Sequence, residues 1–255
     1  MNYLQSQRTT HSFFSQSNKK SHISNNSFES AVLETHKIID EISGFKVNIF
    51  KILGMRNLSA FIGELFAASL IEVTKNYFKK NPHQDGYPDL LLMDDLGKTL
   101  YNKLVAEGKL RDKEPFSPFQ NGGIEVKATC GTVPTPAACR KKGINEKPDI
   151  GDQRIPLLTG YDWKAHHRMT NNLAGILWDF IDGVPRIVAV FFCPTLEESD
   201  WGIIIQPKEG GGRTTSVSIM TRIGVKKMYA HWALILDDPR YKKFLNKYNK
   251  DTMII

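Results

Sequence analysis

The chain has 255 residues, 34 Lys and Arg against 27 Asp and Glu, a formal net charge of +7 and 41% hydrophobic residues. This is enough apolar material for a sizeable core in a single domain, and the mild positive charge suits a polyanionic partner without approaching that of a histone-like protein. Cys130, Cys139 and Cys193 are odd in number and widely spaced, which argues against a disulfide framework or a zinc knuckle and for buried free thiols in a reducing compartment.

No apolar h-region opens the chain, and no stretch approaches the roughly 20 apolar residues of a membrane span. A soluble, cytoplasmic protein with no membrane partner is expected. Residues 1–28 are rich in Ser, Asn, Gln and Lys, with few aliphatic side chains to offset the entropy of ordering them, and read as a flexible N-terminal tail. With no internal repeat and no clear linker after it, residues 29–255 read as a single domain.

From Phe28 to Ile42, Val32, Leu33, His36, Ile39 and Ile42 recur at helical spacing, with Gly44 as a stop. A longer helix is predicted over Leu58–Lys80. Its centre is apolar nearly all round, which implies burial, yet it contains Glu64, and an ionised carboxylate is costly to bury unless paired or bound to metal. A metal-site role for Glu64, a place at the edge of the helix, or a pairing with a nearby Arg such as Arg56 satisfies that constraint.

Tyr87–Leu92 and Gly123–Thr129 both read as buried strands, and both carry ionisable groups that such strands normally exclude. Side chains alternate faces along a strand, so Glu125 and Lys127 share one side while Val126 points to the other. If the Asp89 strand lies alongside, two carboxylates and a lysine converge, which suits a hard divalent cation and a phosphate. The competing reading is a salt-bridged strand edge, with Asp89 capping a turn after Gly86.

Residues 94–122 are polar and charged, with a short helical stretch around Leu100–Leu104. After Thr129 comes a long segment with Pro134, Pro136, Gly143, Pro148 and Gly151 and the basic cluster Arg140, Lys141 and Lys142. A structureless loop of that length in a compact domain is usually functional or mobile. Trp163–Ile181 reads as a helix closed by Gly183. Arg186–Phe192 and Trp201–Ile205 read as strands that extend the sheet, and Trp163, Trp178, Trp201 and Trp232 as core residues.

Lys208–Lys227 combines three glycines with Arg213, Thr214, Thr215, Ser216 and Ser218, donors suited to phosphates and base edges, and adds charge at Arg222, Lys226 and Lys227. An ordinary glycine hairpin with a polar face is the alternative. No Gly-Lys-Ser/Thr follows the glycines, so it is not a Walker loop. His166, His167 and Arg168 are placed near a helix start, with a surface role. Asp238-Pro239 reads as an N-cap with proline at the first helical position, opening a terminal helix with Tyr241, Phe244, Leu245 and Tyr248 on one face.

The pattern Pro88-Asp89, then Glu125-Val126-Lys127, behind an apolar helix, resembles the PD-(D/E)xK nucleases, and among them the type II restriction endonucleases. The resemblance implies an α/β fold with a central mixed sheet flanked by helices, and Mg²⁺-dependent hydrolysis of double-stranded DNA at a short specific sequence. It further implies that Asp89, Glu125 and the backbone carbonyl of Val126 hold the metal, that Lys127 stabilises charge at the scissile phosphate, and that Glu64 on the preceding helix can contribute. Residues 94–122 and 130–160 would then be DNA-recognition insertions. A homodimer is expected, because two-fold symmetry matches a palindromic site, with a cognate DNA methyltransferase in the same system. The rivals are a structure-specific repair or junction nuclease of the same fold and a non-catalytic DNA-binding protein.

Overall fold

The computed structural model describes residues 1–13, 15, 21–116, 122–141, 143, 148–166, 168, 172–207 and 216–248, with the side chains of Arg56 and Tyr248 excepted. In chain order the elements are β1 (Tyr3–Gln5), β2 (Thr10–Phe13), β3 (Ser21–Ser24), α1 (Asn25–Ser43), α2 (Ile49–Val73), β4 (Phe78–Lys80), β5 (Leu90–Leu92), α3 (Asp95–Ala106), β6 (Glu125–Thr129), α4 (Pro136–Lys141), β7 (Lys164–Ala165), β8 (Leu173–Ile181), β9 (Val184–Cys193), β10 (Ser218–Ile219), α5 (Arg222–Ala230), β11 (Trp232–Leu236) and α6 (Pro239–Tyr248).

A five-stranded mixed sheet runs in the order β1-β11-β9-β8-β6, antiparallel except for the parallel β6–β8 pair. It is an α/β fold, with α1 and α2 on one face and α5 and α6 on the other. Strand alternation builds both layers at once. Along β8, Ala174, Ile176, Trp178 and Phe180 enter the core under α1 and α2, while Leu173 and Leu177 enter the one under α5 and α6. A register shift beside Leu177 and Trp178 lets the consecutive residues Val188 and Ala189 of β9 both face the second core.

Several sequence expectations need correction here. The described residues among the first 28 do not form a tail: β1 pairs with β11 at the sheet edge, β2 pairs with β3, and Phe13, Ile23 and Phe28 are buried in the main core. His11, 2% exposed, bonds Asn25 at 2.8 Å and packs edge-on against Phe28 and Phe192. Few apolar residues suffice when each is placed against an existing sheet. The helix over Phe28–Ile42 is present, longer at its start, and ends with Gly44 as its C-cap.

The second helix is shifted. It begins at Ile49, breaks at Gly54 (φ +67) and stops at Val73, because Lys75 and Asn76 adopt left-handed φ of 52 and 63 and turn the chain into β4. Trp163–Ile181 is not a helix. Its second half is β8, and Asp182-Gly183, with φ of 53 and 78, closes a two-residue hairpin into β9. The apolar run LAGILWDFI is buried on both faces, so its burial pattern has neither helical nor strand periodicity.

Trp201–Ile205 does not extend the main sheet. It pairs through Trp201 with Met220 and through Ile205 with Val217, leaving Ile203 78% exposed. Helix α5 and strand β11 occupy a stretch for which the sequence suggests only a glycine-rich segment and a core tryptophan. The terminal helix α6 matches its expectation, with Tyr241, Phe244 and Leu245 buried. Trp163, Trp178 and Trp201 are core residues, and Trp232 is partly buried against the second core. Cys139 and Cys193 are buried free thiols, and Cys130 is partly exposed.

Candidate functional site

The site is assembled where β5 meets the start of β6. Leu90 and Ile124 exchange two 2.9 Å backbone hydrogen bonds, so the Asp89 strand lies antiparallel beside the Glu125 strand. Gly123 makes that approach possible: a Cβ there would lie 2.3 Å from Leu90 O, and its φ is +115. On the far side β6 runs parallel to β8, with Lys127 opposite Gly175. Helix α2 covers this corner closely, Gly63 approaching Ala128.

The alternation expected for β6 holds. Val126 faces the core, while Lys127 Nζ contacts Glu125 Oε1 and lies 3.6 Å from Asp89 Oδ2. The backbone ties the acids together as well. Val126 N–H donates to Asp89 Oδ2 at 2.8 Å, and Asp89 N–H donates to Glu125 Oε2 at 3.2 Å. Glu125 is 1% exposed, whereas the Asp89 side chain is 36% exposed and opens onto a cleft of about 600 Å³. Of the salt-bridged strand edge, the Glu125–Lys127 ion pair is present, whereas Asp89 bonds Val126 across the strands rather than capping a turn after Gly86.

Desolvation, together with the neighbouring Glu125 charge, pushes the Asp89 carboxyl up to about 6, against the pull of Lys127 and the Val126 N–H. Burial disfavours the Lys127 ammonium, but the charges of Glu125 and Asp89 outweigh it and hold its pKa above the ordinary lysine value. The two carboxylates thus hold Lys127 as a cation. Two carboxylates, one of them reluctant to ionise, form a donor set suited to a hard divalent cation, since magnesium takes only one or two protein carboxylates and keeps several waters. Among the described residues no group of three or more His, Cys, Asp and Glu is placed to hold a metal ion.

Glu64 lines the same cleft, but its side chain is 59% exposed and pairs with Lys80. It is therefore not buried in the apolar helix centre: it sits at the edge of the helix, facing the opening, and its partner is Lys80 rather than an Arg. Its charge still reaches Asp89 and adds to the upward push on that carboxyl.

The cleft walls also carry Lys80, His83, Lys164 and His166. Of these only His166 figures in the sequence reading, and it lies after β7 rather than near a helix start. Its Nδ1 donates to Ser216 O at 2.7 Å, which brings Ser216 to the edge of the cleft. The polar run of Lys80, Asn81 and His83, a few residues before Pro88-Asp89, is the available signal for Lys80 and His83, and no local pattern marks Lys164.

Other predicted binding residues are dispersed. Arg140 and Lys141 are exposed on α4, outside the lining of the cleft. Arg222 and Lys226, on α5 rather than on a loop, line a second cavity of about 470 Å³ with Tyr161 and Asp162. Lys227 is committed elsewhere: its ammonium lies 2.8 Å from Asp200 Oδ2, a fully buried carboxylate that needs a cation. Lys142, Arg213, Thr214 and Thr215 lie outside the described residues.

Compared with family models, curated proteins and solved structures, the chain has no match.

Proposed function

We propose that this chain is a Mg²⁺-dependent type II restriction endonuclease of the PD-(D/E)xK kind, hydrolysing phosphodiester bonds of double-stranded DNA at a short specific sequence and acting as a homodimer. The observation that carries this reading is Lys127, held as a cation between Asp89 and Glu125 at the junction of two neighbouring strands, beside a cleft whose walls add Lys80 and Lys164. The fold supports it at a coarser level: the apolar helix α2 precedes the Asp89 and Glu125 strands, and the mixed sheet is flanked by helices.

Asp89 and Glu125, with the carbonyl of Val126, would hold the Mg²⁺, which when bound supplies Lewis-acid stabilisation of negative charge on the phosphate. Lys127 stabilises the charge that develops on the non-bridging oxygens, a role a permanent ammonium fills without losing its proton. The two carboxylates fix its position, and the Val126 N–H fixes Asp89 in turn. Lys80 and Lys164 attract the polyanion and set the path of its backbone. In a restriction system a cognate methyltransferase protects the host's own sites.

The test is incubation of the purified protein with phage-length DNA, with Mg²⁺ or EDTA, alongside Lys127→Ala. Discrete, metal-dependent fragments that the variant does not produce are expected, and their mapped ends give the site. Preferential cutting of branched DNA would assign a structure-specific nuclease instead. Binding without cleavage across several divalent metals would leave a DNA-binding protein with a structural ion cluster.

A further inference from the structure

The loop between β4 and the Asp89 strand, Asn81 to Pro88, is knitted more tightly than a connection requires. Asn81 is 6% exposed. Its Oδ1 accepts from His83 N–H at 3.0 Å, its Nδ2 donates to Pro88 O at 3.0 Å, and its backbone N–H donates to Asp89 O at 2.9 Å. One side chain therefore fixes His83 to the same strand end that carries Asp89. Gly86 leaves room for it, since a Cβ at Gly86 would lie 2.7 Å from both polar atoms of the Asn81 side chain.

The tautomer of His83 is set by a second contact. Asp85 N–H donates to His83 Nδ1 at 3.0 Å. A backbone N–H cannot accept, so Nδ1 must present its lone pair, and the neutral ring carries its proton on Nε2. Among the described residues no protein group takes that Nε2–H, and His83 lines the cleft with Asp89 and Lys127. The other histidine of the cleft has the opposite polarity. His166 spends its Nδ1–H on Ser216 O, so its neutral ring presents a lone pair at Nε2, which a phosphate oxygen repels.

We propose that His83 is a further substrate-contacting residue of this cleft, donating its Nε2–H to a phosphate oxygen of the bound strand, and that Asn81 is the residue that positions it. The inference rests on the phosphodiesterase reading of the cleft. It assigns to the loop a directional donor beside the point charges of Lys80, Lys127 and Lys164: a neutral N–H whose direction is fixed before substrate arrives, at no cost in ordering a flexible side chain.

The experiment compares single-turnover cleavage of a duplex in Mg²⁺ by the wild-type protein, His83→Ala, His83→Gln, His83→Asn, Asn81→Ala and the double variant Asn81→Ala/His83→Ala. His83→Ala is expected to cut roughly 10- to 100-fold more slowly, the range of one charge-assisted hydrogen bond. His83→Gln, whose amide N–H falls near the Nε2 position, is expected to recover most of that loss. His83→Asn, whose amide falls near Nδ1, is expected to recover little. Asn81→Ala should reproduce the His83→Ala defect, and the double variant should add nothing further, as for two residues acting as one unit. Long-range ¹H–¹⁵N spectra of the wild-type imidazole, recorded in EDTA, are expected to show the Nε2–H tautomer, and the His83 resonances should move when duplex is added.

Wild-type cleavage with an undiminished His83→Ala rate, equal behaviour of the Gln and Asn variants, or an Nδ1–H tautomer would overturn the proposal while leaving the nuclease reading intact. Failure of the wild-type protein to cut with any divalent metal would take both down together.

Discussion

Asp89 Oδ2 accepts a 2.8 Å hydrogen bond from the backbone N–H of Val126. The carboxylate that opens onto the cleft is therefore also the clamp that holds its strand against the strand of Glu125 and Lys127. Chemistry and local architecture share one oxygen atom, and substitutions here separate the two roles.

Asp89→Asn keeps an acceptor for the Val126 N–H and removes the charge. Cleavage is expected to fall by about 1,000-fold or more, since a Lewis-acid contact supplies several kcal/mol of transition-state stabilisation. The thermal midpoint at pH 8 is expected to rise, because the variant no longer has to ionise a carboxyl crowded by Glu125. Thermal unfolding and cleavage of the same preparation check both. A fall in activity accompanied by a fall in midpoint would make Asp89 a structural residue.

The same crowding predicts how divalent metal stabilises the protein. The folded-state pKa of Asp89 is raised to about 6 from 3.8, so ionising it costs stability as pH rises through that window, and the cost is complete above it. A bound cation offsets the cost only where the carboxyl is ionised. Mg²⁺ or Ca²⁺ should therefore raise the unfolding midpoint more at pH 8 than at pH 5, measured by differential scanning calorimetry. Equal shifts at both pH values would argue against this pair as the metal site.

His36 gives the fold an acid sensitivity of its own. It is 6% exposed, and its Nε2 accepts from Ile187 N–H at 2.8 Å, a contact only the neutral ring can make. Burial, aided by Arg186, pushes its pKa down to about 4. The unfolded chain therefore binds a proton that the folded chain refuses between about pH 6.5 and 4. Stability is full above pH 6.5 and declines as pH falls through that window, by up to about 3 kcal/mol from this residue. Urea unfolding at pH 7 and pH 4.5 should show the loss, and His36→Leu should flatten the pH dependence while lowering stability at pH 7 by leaving the Ile187 N–H unpaired.

Two glycines near Lys127 should respond in opposite directions. At Gly175, opposite Lys127 in the sheet, a Cβ would lie 2.6 Å from Met228 Cε and 2.7 Å from the Trp163 ring. Gly175→Ala is expected to cost about 1–3 kcal/mol through overpacking. At helical Gly63 the nearest atom to a new Cβ is Ala128 Cβ at 3.6 Å, an ordinary contact. Gly63→Ala is expected to stabilise by about 0.5–1 kcal/mol, the helical advantage of alanine over glycine. Equilibrium denaturation of the two variants decides the matter, and destabilisation by Gly63→Ala would show that α2 sits closer to the sheet than this packing allows.

The legible part of the site was the part encoded by local alternation. Glu125 and Lys127 share a face because they are two residues apart on a strand, and a buried strand with charges stands out against its neighbours. The terminal helix was equally readable from Asp238-Pro239 and its apolar face. Where the sequence misled, burial had erased periodicity: β8 is apolar on both faces, and the Asp182-Gly183 turn that marks it as half of a hairpin carried the deciding signal. The N-terminal strands were missed because their few apolar residues are stabilised by the main core they pack against, and β1 by the sheet edge it joins, contacts that no local pattern announces.

By itself, then, the sequence determined the shared face of Glu125 and Lys127, the terminal helix and the basic balance of the chain, which follow from nearest-neighbour geometry or composition, while the α/β class came from the family resemblance. Only the tertiary structure decided that Asp89 lies against Val126, that Glu64 faces Lys80 instead of the core, that Lys227 is committed to Asp200, and that His83 and Lys164 share the cleft with Asp89 and Lys127. Each of these is a contact between residues on separate elements, fixed by strand register and helix docking, and no local pattern of side chains specifies either.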